Sequence, residues 1–257
     1  MTRYFSFAYG TICYAVFLCS FAYAPAFVGN MFAPKTIDSG DLYPFGVALA
    51  VNLGLLSLFA IQHSGMARRG FKKVLTKFVP QHMERATYVL ASSLALIVMY
   101  WQWVPMPQML WSVDNEMARM TVLGVYWMGW ATVFVATLMI GHFDLFGMRQ
   151  VWMNLMGQAR ESMSFKTPGL YKIVRHPIQT GFLIAFWAAP DMSAGRMLFA
   201  MVTTAYIILA VKLLEERDLI HEFGDRYRAY IQSVPAFFPM PGRKPVPASR
   251  PATVEAA

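Results

Sequence analysis

Long apolar runs separated by short polar loops set the pattern of this chain. Apolar residues dominate 5–28, 44–61, 86–103 and 121–140, and each run is close to the ~18–20 residues that carry a helix across a bilayer. The first lacks a small-residue cleavage pattern after a short apolar core, so it reads as a retained anchor rather than a signal peptide. A fifth apolar block, 178–214, is too long for one helix of ~20 residues. Pro190-Asp191-Met192-Ser193-Ala194-Gly195-Arg196 interrupts it near its middle. Two short helices joined by a Pro/Gly turn fit that block, as a hairpin that either spans the bilayer or dips into it. An amphipathic segment, 215–230, follows and belongs on the membrane surface.

The loops orient these spans. The one after the second run carries Arg68, Arg69, Lys72, Lys73, Lys77 and Arg85 against a single acid, Glu84, which marks the cytoplasmic side. Trp101 and Trp103 close the third run as interfacial aromatics. The next loop, with Pro105, Pro107, Asp114, Glu116 and little positive charge, should face away from the cytoplasm. Residues 142–172 return to the basic side with Asp144, Arg149, Arg160, Glu161 and Lys166. Beyond Pro239 the chain turns to proline, alanine and basic residues and reads as disordered. The expectation is an all-α, polytopic integral membrane protein. It has four spans, a Pro/Gly-broken helical hairpin and a cytoplasmic amphipathic C-terminal helix, with 1–240 as one transmembrane domain and 241–257 as a disordered tail. Both termini are cytoplasmic if the hairpin crosses fully.

Composition agrees with this. Hydrophobic residues make up 57% of the 257 and charged residues only 14%, where a soluble chain carries about 25% charged. The net charge of +8 would suggest nucleic acid in a soluble protein. Here the basic residues sit in loops beside apolar runs, so the positive-inside rule accounts for them and no nucleic-acid partner is expected. Cys13 and Cys19 both fall within the first run and cannot build a zinc site. Dinucleotide glycine fingerprints, P-loops and HExxH metal motifs do not occur in the sequence.

Candidate chemistry collects at the two ends of the hairpin. Leu170-Tyr171-Lys172-Ile173-Val174-Arg175-His176-Pro177-Ile178-Gln179-Thr180-Gly181 precedes it and Glu215-Glu216-Arg217-Asp218 follows it. Pro177 biases His176 out of the helical region and suits the first turn of the next helix, whose N–H groups could meet an anion such as a carboxylate. On spacing alone an ordinary basic loop explains the turn as well. Glu215 or Glu216 could face inward toward a cation or act as a proton acceptor, or simply solvate a helix end. Tyr227 and Tyr230 share one helical face. Gly141-His142-Phe143-Asp144-Leu145-Phe146-Gly147 holds a histidine and an acid two residues apart, which could pair only on irregular backbone. Gln62-His63-Ser64 reads as a satisfied helix end.

Together, Arg175-His176-Pro177 with Gly181, the apolar hairpin, Glu215-Glu216, and Phe223-Gly224 with Tyr227 and Tyr230 resemble the isoprenylcysteine carboxyl methyltransferase and phospholipid methyltransferase superfamily over about 165–240. Gln62-His63-Ser64, the stretch from Glu84 to Tyr88, Trp101-Gln102-Trp103 and the His142–Gly147 segment resemble its bacterial thiol-methylating branch, methanethiol S-methyltransferases, with part shared by NnrU-type membrane proteins. The resemblance implies S-adenosylmethionine as cofactor in a cytoplasmic pocket of a bacterial-type inner membrane. Its binding set would be Tyr171, Arg175, His176, Pro177, Gly181, Glu215, Glu216, Tyr227 and Tyr230. The implied reaction is methylation of a small thiol, methanethiol to dimethyl sulfide, with the base among His142, Asp144 and Glu216. A prenylcysteine-like or phospholipid acceptor, or a non-catalytic NnrU-like role, is the alternative. The chain departs from the pattern at Gln179, where many relatives are aromatic. It departs again at Glu222, where prenylcysteine enzymes are commonly basic.

Overall fold

The first two apolar runs become α1 (Thr2–Val28) and α2 (Phe45–Ala67) in the computed structural model, which describes residues 2–159 and 165–240. A short α3 (Arg69–Leu75) carries the basic loop, and α4 (Glu84–Gln102) returns along α1 and α2. α5 (Glu116–Ile140) starts at Asn115, whose side chain accepts from the Ala118 N–H at 2.9 Å, a capping contact that satisfies one free donor of the first turn. It ends at Gly141, whose left-handed backbone (φ 114°) no β-carbon residue would adopt cheaply. Then come α6 (His142–Leu145), α7 (Met148–Met156) and a single 3-10 turn, Gly169–Lys172. Residues 160–164 and the tail at 241–257, where Arg160, Glu161 and the disordered segment were expected, lie outside the described residues.

The hairpin differs from the expected pair of short helices. Its first arm, α8 (Pro177–Trp187), is short at 11 residues. The second arm is not: α9 (Ala194–Ala210) continues through one π-helical turn, Val211–Glu215, into α10 (Glu216–Phe223). The 30 residues extend for about 45 Å at 1.5 Å per residue. Among the described residues, four helical stretches are long and apolar enough to cross a membrane, namely α1, α2, α5 and the α9–α10 unit. The third expected span forms as α4 but is more polar than these four, because Tyr88, Ser92 and Ser93 are buried against neighbouring helices. The chain is thus an integral membrane protein in which the hairpin's long arm is a span.

The hairpin tip packs against the loop between α4 and α5. Asp191–Ser193 (β2) forms a two-stranded ribbon antiparallel to Met109–Ser112 (β1), in the loop between α4 and α5 that is the acidic side of the molecule. Apolar periodicity gave no sign of these strands. Arg119 pairs with Asp191, Ser112 Oγ donates to Asp191 Oδ1 at 2.7 Å, and Trp111 Nε1 donates to the Ala189 carbonyl at 3.1 Å. Beneath them Arg196 is buried, with its guanidinium 5.4 Å from the Tyr126 ring and Nη2 donating to the Ala188 carbonyl. The largest cluster of buried apolar side chains, including Phe27, Tyr100, Trp103, Tyr126, Trp130, Phe186 and Phe199, lies toward this end. The tip is therefore held against the α4–α5 loop, and the opposite ends of both arms converge at the basic side.

α8 reaches that position by lying directly on α5. A β-carbon on Gly181 would stand 2.6 Å from the Gly129 carbonyl oxygen, and one on Gly129 would stand 2.7 Å from the Ala185 nitrogen. Small residues let helix backbones approach this closely, the usual way membrane helices gain packing without a hydrophobic drive.

Candidate active site

The Arg175-His176-Pro177 turn and the Glu215-Glu216 pair meet. Pro177 occupies the first turn of α8, and His176 stands before it with non-helical angles (φ −125°, ψ 63°). Arg175 sends Nε and Nη2 to Glu216 Oε1, at 2.9 and 2.6 Å, and Nη1 to the carbonyls of Ile231 and Val234. His176 Nε2 lies 3.2 Å from the same Glu216 Oε1, and its Nδ1 lies 3.6 Å from Glu215 Oε1. Gln179 Nε2 donates to Glu215 Oε2 at 3.0 Å. So one carboxylate is clasped by two cations while the next one along the chain flanks the histidine.

Two adjacent acids on a regular helix point about 100° apart. The π turn Val211–Glu215 widens the helix just before them, a distortion that often marks functional positions. Both carboxylates then address His176. Burial alone would hold the imidazole neutral, since only 3% of its side chain is exposed. Bonds and charges from Glu215 and Glu216 outweigh that and raise its pKa to about 9. His176 is consequently an imidazolium at neutral pH, its Nε2–H donating to Glu216 and its Nδ1 in ion-pair range of Glu215, and is no proton acceptor there.

A second layer closes over the turn. α11 (Asp225–Ser233) follows Gly224, and its C-terminal extension runs back across the start of α8. The Arg175 and His176 N–H groups donate to the Pro235 and Ala236 carbonyls at 2.8 and 3.0 Å, and Thr180 Oγ1 donates to the Phe237 carbonyl at 2.6 Å. Tyr230 donates to the Tyr171 carbonyl. Tyr227 packs beside Tyr230 with ring centroids 5.7 Å apart. Burial pushes the Tyr171, Tyr227 and Tyr230 hydroxyls upward, so all three stay protonated donors.

Three polar groups are left over. Among the described residues, Tyr227 Oη is buried without a partner and Glu216 Oε2 accepts no hydrogen bond, all bonds falling on Oε1. Glu215 is 44% exposed. Its carboxylate acts electrostatically on Tyr171 and Tyr227 on one side and on His63, Tyr88 and Tyr206 on the other. A buried unpaired hydroxyl such as that of Tyr227 costs about 1–3 kcal/mol, and beside two carboxylates with free acceptor positions it marks a place for a polar ligand.

Several expected site residues do something else. Arg175 spends its guanidinium on Glu216 and α11, so it positions the carboxylate rather than a ligand. Gly181 faces α5, where its lack of a side chain is a packing requirement. The start of α8 is covered by the 234–237 strap, which fills part of the anion site expected there. His142 and Asp144 are not brought together: His142 bonds Tyr14 Oη and Thr137 Oγ1, each at 2.8 Å, whereas Asp144 pairs with Arg149 at 2.8 Å. Left-handed Gly141 and Gly147 supply the irregular backbone without producing the dyad.

Gln62-His63-Ser64, read from the sequence as a satisfied helix end, reaches two other helices instead. His63 lies within reach of Tyr88 Oη (2.9 Å) and Ser92 Oγ (3.1 Å) on α4, and Ser64 Oγ is 2.9 Å from Tyr206 Oη on α9. The polar triplet at a helix end was the available signal. Its partners on α4 and α9 are distant in sequence.

Comparison with known proteins follows this geometry. The chain is 48% identical to the methanethiol S-methyltransferase of Mycobacterium tuberculosis over 95% of its own length and 99% of that protein's. It is 51% identical to methanethiol S-methyltransferase 2 of Bradyrhizobium diazoefficiens, over 90% of this chain and 88% of the relative. A more distant similarity, 31% identity over 67% of this chain and 68% of the relative, links it to nurim of Sus scrofa. No family model and no solved structure matches.

Proposed function

The chain belongs to the methanethiol S-methyltransferase family, and from that premise we propose that it methylates methanethiol to dimethyl sulfide with S-adenosylmethionine, in an inner membrane with its site facing the cytoplasm. The family is one of enzymes that need a methyl donor. The observation that carries the choice of donor is the unpaired set around the Arg175–Glu216–His176 knot. S-adenosylmethionine presents an ammonium, ribose hydroxyls and a sulfonium. Glu216 Oε2 and the half-exposed Glu215 carboxylate offer acceptors for cationic and hydroxyl groups, and Tyr227 Oη offers a buried hydrogen-bonding group. The residues present fit such a molecule. Glu215, Glu216, Tyr227 and Tyr171 would hold it, with Arg175, His176 and Tyr230 keeping them in place.

When bound, that cofactor supplies a methyl carbon on a positively charged sulfur, open to in-line displacement by a thiolate. The chain's own contribution is alignment and charge placement. Holding nucleophile and electrophile in line accounts for up to ~7–11 kcal/mol of a barrier. Aromatic rings at Tyr171 and Tyr227 can face a sulfonium, a contact worth ~0.5–2 kcal/mol. The charged His176 donates Nε2–H to Glu216 and faces Glu215 with Nδ1, and so fixes their direction. A volatile apolar thiol partitions into the bilayer, which suits an enzyme embedded in a membrane.

Calorimetric titration of the detergent-solubilised protein with S-adenosylmethionine tests this. Binding with a rise in thermal stability is expected, up to ~2.7 kcal/mol at a hundredfold excess over Kd, and Glu215→Gln should weaken it. Absence of both heat and stabilisation at millimolar ligand would refute the reading. Headspace dimethyl sulfide from cells given methanethiol then checks the acceptor.

A further inference from the structure

We propose that α3 is a docking surface for the headgroups of anionic phospholipids, and that the docked helix braces α10, the segment that begins with Glu216. α2, a span, ends at Ala67, and Arg68 turns the chain with extended angles (φ −70°, ψ 141°) so that α3 starts at Arg69. A helix that begins two residues after a span lies at headgroup level. Its winding runs on past Leu75, because the Thr76, Lys77, Phe78 and Val79 N–H groups donate to carbonyls three or four residues earlier.

That winding sorts the side chains. At about 100° per residue, Phe71, Val74 and Phe78 fall within about 60° of one another, and Lys73 and Lys77 fall on the opposite side. The three apolar side chains are exposed by 43%, 54% and 83%, on a helix with no buried residue. An exposed apolar face backed by a lysine-bearing one, at the edge of a span, is the pattern of a helix lying in the bilayer surface.

Charge selects the lipid. Arg68 pairs with Asp218 at 3.1 Å, Arg69 Nη1 donates to His221 Nδ1 at 2.8 Å, and Lys72 lies 3.9 Å from Glu84. Lys73 and Lys77 are exposed and, among the described residues, pair with no acid. A zwitterionic headgroup offers them no net charge, whereas an anionic one does. Lysine stems are long enough to reach its phosphate while the apolar face is buried. An acidic protein would meet the lysines alone; a bilayer takes the phenylalanines as well.

The same helix reaches the knot. Asp218 and His221, the partners of Arg68 and Arg69, stand one turn apart on α10. α3 therefore links the membrane surface to the element that holds Glu216 against Arg175 and His176, and a headgroup that fixes α3 also steadies α10.

Full-length protein offered phosphatidylcholine and phosphatidylglycerol tests both halves. Lipid retained from an equal mixture is counted by native mass spectrometry. Wild type should prefer phosphatidylglycerol, and Lys73→Gln/Lys77→Gln should cut that preference ~25-fold, about fivefold for each lysine near an anionic surface. In nanodiscs, amide hydrogen exchange over 216–223 should be slower with phosphatidylglycerol than with phosphatidylcholine alone. Asp218→Ala/His221→Ala should keep the lipid preference and lose that slowing. Equal retention of the two lipids by wild type, a wild-type preference in the lysine variant, or displacement of the lipid by inorganic phosphate overturns the headgroup site. Exchange in α10 that ignores lipid in wild type, or still follows lipid in the Asp218/His221 variant, overturns the brace. Neither readout uses S-adenosylmethionine, so absent donor binding sinks only the methyl-transfer reading, and absent lipid preference sinks only the headgroup site.

Discussion

Replacing Glu216 by glutamine should remove a pH-dependent part of this protein's stability, and the size of that part follows from the knot it ties. His176 is buried and its pKa is raised from 6.5 to about 9. That difference of ~2.5 units, at 1.36 kcal/mol each, corresponds to on the order of 3 kcal/mol. A raised folded-state value means the charged form is favoured by folding. The stabilisation is therefore complete below pH ~6.5, declines as pH rises, and is gone above pH ~9. Glu216→Gln keeps the shape and one acceptor but removes a charge shared by Arg175 and His176. Glu215 raises the histidine as well, so Glu216→Gln should remove about half of that pH-dependent part, ~1.5 kcal/mol, or about 3–6 °C in apparent Tm for a chain of this size. Tryptophan fluorescence melts in detergent, at pH 6 to 9.5, read it directly. The gap between wild type and variant should be widest at pH 6–6.5 and narrow by at least ~1 kcal/mol, or about 2–4 °C, by pH 9.5. Part of the gap persists, because Arg175 loses its partner at every pH. A gap of constant width across that range would refute the claim that Glu216 holds a titrating histidine.

Other outcomes follow from the same contacts. Gly181→Ala should destabilise by about 1–3 kcal/mol through overpacking against Gly129, seen as a lower melting temperature, with donor affinity kept in the folded fraction; a selective loss of affinity would return Gly181 to the cofactor site. Deleting Val211 should turn the π turn into regular helix and swing the two glutamates off His176, abolishing donor binding by calorimetry while circular dichroism still reports a helical protein. His142→Ala should cost about 1–3 kcal/mol for the two hydroxyl partners left behind, yet leave the shape of the pH–rate profile unchanged.

Span positions were legible because run length and loop charge report directly on a bilayer. The runs at 5–28, 44–61, 86–103 and 121–140 made α1, α2, α4 and α5, and the interruption at Pro190–Arg196 lies at the hairpin tip. What the pattern could not show was how far each arm ran. Lys212 and the acids that follow look like a span's end, but α9 passes through them by inserting one wide turn. Nor could it separate packing glycines from binding ones, since Gly181 is seen to need its missing side chain only when Gly129 stands opposite. The pairing of Arg175-His176 with Glu215-Glu216 was readable because a hairpin must bring its ends together. The surroundings of His63 were not, because they include Tyr88 on another helix and a carboxylate more than a hundred residues away. His142 drew attention for the opposite reason, having an acid nearby in sequence that turns to Arg149 in space.

Charge conservation explains why Glu215 sits where it does. Arg175, His176, Glu215 and Glu216 sum to zero when the histidine is protonated, so the knot is neutral before any ligand enters. On the proposed reading the incoming donor adds a positive sulfur, and the acceptor adds a neutral thiol. Methyl transfer neutralises the sulfur and leaves one proton behind, so a unit of positive charge crosses from the donor side to the acceptor side. In a partly buried site an uncompensated charge costs several kcal/mol, and a carboxylate aimed at only one side would favour one end of the reaction over the other. Glu215 acts on His176, Tyr171 and Tyr227 beside the knot and also on His63 and Tyr88 between α2 and α4, so on that reading it can stay near the positive charge. Glu216, locked by Arg175, cannot follow. On the same reading, that division of labour accounts for two adjacent glutamates and for the widened turn beside them.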